Sequence, residues 1–401
     1  MRLDVDTTPP DRDRFIDLLR VVAGAVVVVW HWALSITHWG GGTLVMGNPI
    51  DVVPGARVAT WALQVMPLFF VIGGFVNVTG WRSVRRQGGG CREFYGSRIR
   101  RLLLPTAVFA AVWSGLDLAM FVVRAEHRSV LDWGTILFTP LWFLGAYLWV
   151  TLLVPITARL HRAGGVLTVI VMGAAIALVD LGRFQVGIDE LGLVNSALVW
   201  VFVHQLGYLY RDGTFARIGV RGQVAMGSTA LVAMIVLTRL PVYATSMVAT
   251  RDVGFSHMWP TTAVIAVVAL LQTALAMLLR PLLQPWLHRD RAWRAITVIN
   301  AVMLTVFLWH MTAKVAAIGI YEALGFELLT EPTAAWWLQR PLWLLGPGVL
   351  LVGLVAVFGP IELRLRGHRR SVGHGVSGSR RPSQRRRAAA RPSRPTRRRR
   401  R

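Results

Sequence analysis

The chain has 401 residues, 54% of them hydrophobic and only 16% charged, with a mean hydropathy of +0.51 and a formal charge of +24. That balance excludes an ordinary soluble domain, and repeated apolar runs of the roughly 20 residues needed to cross a bilayer imply a polytopic, all-α membrane protein. Sixteen arginines and no acid fall in residues 364–401, leaving +8 for the remainder, and with no aromatic interleaving or recognisable fold in that tail a nucleic-acid partner is not expected.

In chain order, residues 1–14 mix acids with bases and lead to no small-residue cleavage site, so the first span is expected to remain in the mature protein. That span holds "RVVAGAVVVVWHWALS" (20–35), with Arg20 and His31 eleven residues apart. At about 100° and 1.5 Å per residue they share one face, roughly 16 Å apart along the axis. Asp17, Gly24, Ser35 and His38 extend the same stripe. An ionisable group facing lipid costs about 2.5–3.5 kcal/mol on insertion scales, so the stripe is expected to face protein or a water-filled cavity. The plainer alternative has Arg20 snorkelling to headgroups and His31 as a hydrogen-bonded packing residue.

Ten spans are expected, at about 15–36, 57–79, 102–123, 138–158, 165–182, 192–210, 223–242, 259–279, 296–320 and 343–361. The second ends in "PLFFVIGGFVNVTGW" (67–81), where Gly73 and Gly74 permit close backbone approach. Seven arginines, including Arg98 and Arg101, then stand against the single acid Glu93, which predicts a cytoplasmic loop. Alternation places 159–164, 211–222, 280–295 and both termini on the same side, in the cell membrane. Cys91 is the lone cysteine, so neither an intrachain disulfide nor a cysteine metal site is expected, and no metal is predicted. The glycine triplets at 40–42 and 88–90 lack the strand and helix context of a phosphate loop. Asp117, Asn77, His204, Gln205, Gln272 and Asn300 read as interhelical hydrogen-bond partners, and Trp39, Trp81 and Trp259 as interfacial anchors. The tail, 363–401, is Arg-, Pro- and Ser-rich and is expected to be disordered. It either attracts anionic lipid headgroups, at about 1 kcal/mol per basic residue, or is a tolerated extension.

"FFVIGGF" (69–75), Arg98 and Arg101 followed by Pro105, "LWFL" (141–144) and "FLWH" (307–310) follow the Arg20/His31 pair in this order. Together they resemble the acyltransferase-3 family of integral membrane O-acyltransferases, over about residues 14–362. Gly73 stands where that family usually has serine. The resemblance implies a membrane domain over 15–362 that moves a short acyl group, acetyl from acetyl-coenzyme A above all, to a hydroxyl of a sugar, glycan or glycosylated metabolite. Acyl-coenzyme A is the donor substrate and no bound cofactor is expected. Transfer to a hydroxyl needs a base, and histidine titrates near neutrality, which points to His31. Arginine forks suit the donor's phosphates, which points to Arg20, Arg98 and Arg101, with Asp17 and His310 in support. The alternative is a secondary transporter using Arg20, His31 and Asp117.

Overall fold

The computed structural model describes residues 12–40, 43–123, 135–138 and 141–374. Asp13 opens α1 (Arg14–Ala33), one carboxylate oxygen accepting from the backbone N–H groups of Phe15 at 3.0 Å and Ile16 at 3.2 Å. Its other oxygen accepts from Tyr210 at 2.8 Å and Arg280 at 3.3 Å, so the cap also joins the start of α1 to two later helices. The helix stops at Ala33 rather than 36. The β-branched and aromatic run after it forms an antiparallel hairpin, β1 (Ile36–Gly40) and β2 (Thr43–Gly47), with Ile36 opposite Gly47.

The second span is α2 (Ala56–Leu63) and α3 (Met66–Arg86), interrupted at residues 64 and 65, with Pro67 in the first turn of α3. Next come α4 (Cys91–Val123) and the short α5 (Thr135–Phe138). The fourth span, expected at about 138–158, is bent by 58° between α6 (Leu141–Leu152) and α7 (Val154–Gly164). Pro155 lies in the first turn of α7, where its missing N–H costs nothing to a new helix but could not continue the old one. Residues 159–164, expected as a loop, are the end of α7, and the chain reverses at Gly165 with φ +50°.

There follow α8 (Val166–Leu181) with a π-helical turn at Gly182–Val186, α9 (Leu191–Arg211), α10 (Thr214–Arg217) and α11 (Gly219–Leu237). The chain continues through α12 (Ala263–Leu287), α13 (Asp290–Ala301), α14 (Met303–Ala323) and α15 (Ala334–His374). Much of 280–295 is therefore helix rather than loop. The last helix also runs past the boundary expected at 362, because the Leu- and Arg-rich residues there are good helix formers. The rest of the expected disordered tail, 375–401, lies outside the described residues. Among the described residues nine helices are long and apolar enough to span a membrane, or ten with the bent α6–α7 pair as one span. The protein is an all-α, multi-pass membrane protein.

The outer helices expose leucine and valine, such as Leu118, Val122, Leu338 and Val352, as apolar surface that lipid would cover. The centre is closer packed. There α3 lies along α9, α11 along α12 and α14 along α15, while α1 fits between α3, α13, α14 and α15. Trp81, expected at the interface, is instead buried edge-on against Phe94 with ring centroids 5.4 Å apart. The α3–α9 crossing depends on small residues: a Cβ on Gly74 would strike the His204 carbonyl, and one on Gly207 would strike the Val71 carbonyl. Gly207→Leu is expected to cost about 1–3 kcal/mol or more through overpacking. This should appear as a lower melting temperature of the purified protein; an unchanged melting curve would contradict that packing.

Candidate functional site

The polar stripe of α1 faces protein. Near the start of the helix Asp17, 6% exposed, accepts from Arg12 at 2.5 Å and lies 3.8 Å from Arg20, and its backbone carbonyl accepts from Asn300 Nδ2 at 2.9 Å. Two turns on, Gly24 leaves room for α14: a Cβ there would fall 2.6 Å from Met303 Sδ. Further still, the Trp32 indole donates to the His310 carbonyl at 2.9 Å. The stripe is thus the seam along which α1 meets α13 and α14.

His31 and His310 meet on that seam. His31 Nδ1 lies 2.8 Å from His310 Nε2, the rings meeting edge to edge with 12° between their planes and their centroids 5.1 Å apart. His310 is fully buried and its Nδ1 is 2.7 Å from the Phe307 carbonyl. A carbonyl can only accept, so His310 Nδ1 carries a proton and, in a neutral ring, Nε2 is left as an acceptor. His31 Nδ1 must then be the donor. A neutral His31 consequently has its lone pair on Nε2. The ring is half-buried, and among the described residues no protein group bonds that nitrogen. The arrangement can take one proton at a defined atom, and the resulting charge would strengthen the Nδ1–H bond to His310.

A second polar group lies between α3, α4, α6 and α9. Buried Asn77 directs Nδ2 towards Thr151 Oγ1 at 3.1 Å, His204 Nε2 at 3.2 Å and Tyr147 Oη at 3.4 Å. Its Oδ1 accepts from Arg98 Nε at 2.8 Å, while Arg98 Nη2 donates to the Val76 carbonyl at 3.1 Å and the guanidinium stacks over Phe94 at 4.2 Å. Arg101 is half-buried one turn further along α4. Gly73, in the place of the serine usual in the family it resembles, faces Tyr147: a Cβ there would fall 2.5 Å from the ring and 3.3 Å from its hydroxyl. Aromatic rings run from this group towards the histidine pair. Tyr147 and Phe143 have centroids 6.0 Å apart, Phe143 and Phe307 5.4 Å, and Phe307 and His310 6.0 Å.

The structure therefore groups Asp17 with Arg20, His31 with His310, and Arg98 with Asn77. Sequence reasoning passed over Lys314, which is fully buried and donates to the His31 carbonyl at 2.9 Å. Its signal was available: it is the only lysine in the chain and stands four residues after His310 in an apolar helix.

A family model described as an acyltransferase domain matches residues 13–361. No curated protein and no solved structure matches the chain.

Proposed function

The chain belongs to the acyltransferase-3 family and is a membrane acyltransferase, and from that premise we propose that it transfers acetyl from acetyl-coenzyme A to a hydroxyl of a sugar, glycan or glycosylated metabolite. The observation that carries the assignment of the base is the His31–His310 pair, which leaves His31 Nε2 unprotonated and, among the described residues, unbonded. The acceptor hydroxyl gives its proton to that nitrogen as its oxygen attacks the thioester carbonyl. The tetrahedral intermediate collapses, the carbon–sulfur bond breaks, and the departing thiolate takes the proton from Nε2 as the free thiol. His31 ends as it began, and His310 keeps a proton on Nδ1 throughout, so only Nε2 gains and loses one.

The donor's phosphates are assigned to the arginine end. Arg98 is already anchored on Asn77 and Val76, which supports a guanidinium held in a fixed orientation towards the donor's phosphates, and Arg101 and Arg20 share that role. This end is cytoplasmic by the loop charges, with both termini inside the cell membrane. The aromatic path from Tyr147 through Phe143 to Phe307 supports a route for the thioester arm towards His31.

Membrane vesicles given acetyl-labelled coenzyme A and the glycan fraction of the same cells should move the label into that fraction. Transfer from longer acyl donors alone would overturn acetyl, and movement of unmodified acceptor without label transfer would favour transport. In the same assay Arg98→Lys keeps the charge but loses the fork, and is expected to raise the donor KM about tenfold or more at similar kcat. Unchanged donor kinetics would remove Arg98 from the donor site.

A further inference from the structure

The end of α1 is held by two cations without a carboxylate. Lys314, fully buried in α14, donates to the His31 carbonyl at 2.9 Å and to Ser35 Oγ at 2.5 Å, and its Nζ lies 3.5 Å from Met46 Sδ on the hairpin. Ser35 in turn donates to the same His31 carbonyl at 2.6 Å. Arg340 of α15, 7% exposed, places Nη1 3.3 Å from the Ala33 carbonyl and 3.5 Å from that of Ser35, with its guanidinium 3.7 Å above the Trp336 ring. Among the described residues neither cation forms a salt bridge. Their negative counterpart is the carbonyl end of the helix. The last four carbonyls of a helix lack intrahelical partners and carry roughly half a negative charge, which water would solvate at a surface.

Stability alone is a weak reason for burying such a side chain. Even a complete buried ion pair can often be replaced by apolar side chains of similar volume at little cost or with a gain, and Lys314 has no carboxylate partner among the described residues to offset its desolvation. What Lys314 adds is geometry. With His310 it forms an i, i+4 pair on one face of α14, and both residues reach the same turn of α1. Lys314 holds the His31 backbone, His310 holds the His31 ring, and the His310 carbonyl holds the Trp32 indole. These three bonds fix the height and rotation of that turn. We propose that Lys314 is a positioning residue for acyl transfer, locking the last turn of α1 so that His31 keeps its bond to His310 and presents its open nitrogen to the acceptor hydroxyl. The inference rests on the reading of His31 as the base.

The test uses the full chain, with acetyl-labelled coenzyme A and the glycan fraction as acceptor. Lys314→Met is similar in length and removes the charge and the donors. It is expected to lower kcat about tenfold to a hundredfold, the cost of a misplacement near 1 Å, with the donor KM within about twofold of the original. Lys314→Arg, which retains charge and donors, should recover part of the loss. Full kcat in Lys314→Met beside an inactive His31→Ala would overturn the positioning role, as would an equal fall in both lysine variants with a raised donor KM. Full activity in His31→Ala would instead overturn the base assignment itself. Should Lys314→Met fail to insert, Ser35→Ala interrupts the same contact and should lower kcat about threefold or more at unchanged donor KM. Original kcat in that variant would overturn the proposal.

Discussion

His31→Ala is expected to lower turnover by about 10²–10⁴-fold while leaving the donor KM nearly unchanged, since a positioned acid–base group contributes on that scale and acts on the chemical step alone. The split between kcat and KM matters because α1 also carries Arg20 and Asp17 at its other end. A general distortion of α1 would weaken donor binding as well. Loss of the imidazole should leave the arginine end intact, roughly 16 Å away along the helix. Steady-state rates on correctly inserted protein, with acetyl-coenzyme A as the varied substrate, would read both quantities. Undiminished turnover would remove His31 from the chemistry.

The second large effect is expected at a residue that never touches substrate in this account. His310 is fully buried, bonded on one side to the Phe307 carbonyl and on the other to His31. His310→Ala removes the acceptor that keeps the His31 proton on Nδ1, so the ring is free to rotate and to place its proton on either nitrogen. Turnover should fall about 10²-fold or more, by analogy with the cost of releasing a catalytic histidine from its orienting partner. His310→Gln offers a side-chain carbonyl that can accept from His31 Nδ1, and should recover part of that loss. Equal activity in both variants, close to the original, would show that His31 needs no orientation from α14.

The signal for the first half of this arrangement lies within one helix. Eleven residues make close to three turns, so Arg20 and His31 had to share a face, and the cost of turning that face to lipid placed it against protein. The partner was not legible from spacing, because His310 is 279 residues away in sequence and only the packing of α14 against α1 brings it within 2.8 Å. The two arginines of α4 illustrate the same limit. Their three-residue spacing sets a common face but not its direction, and the Arg98 anchor, Asn77, sits on α3. The bend of the fourth span escaped a reading based on apolar length, since α6 and α7 join two helices without an intervening polar gap. Pro155 was its visible cue. Lys314 was equally visible as the one lysine of the chain, yet its meaning depends on the carbonyl end of α1, which the sequence places inside a longer apolar run.

Acyl transfer to a hydroxyl through His31 leaves its product on the cell's own glycans. Mass spectrometry of surface glycans and secreted glycosylated metabolites reads it in cells that lack the gene, carry it unchanged, or carry it as His31→Ala. An acetyl mass increment present only with the unchanged gene is the predicted result. Identical spectra from all three, or an increment that persists with His31→Ala, would rule out acyl transfer through His31.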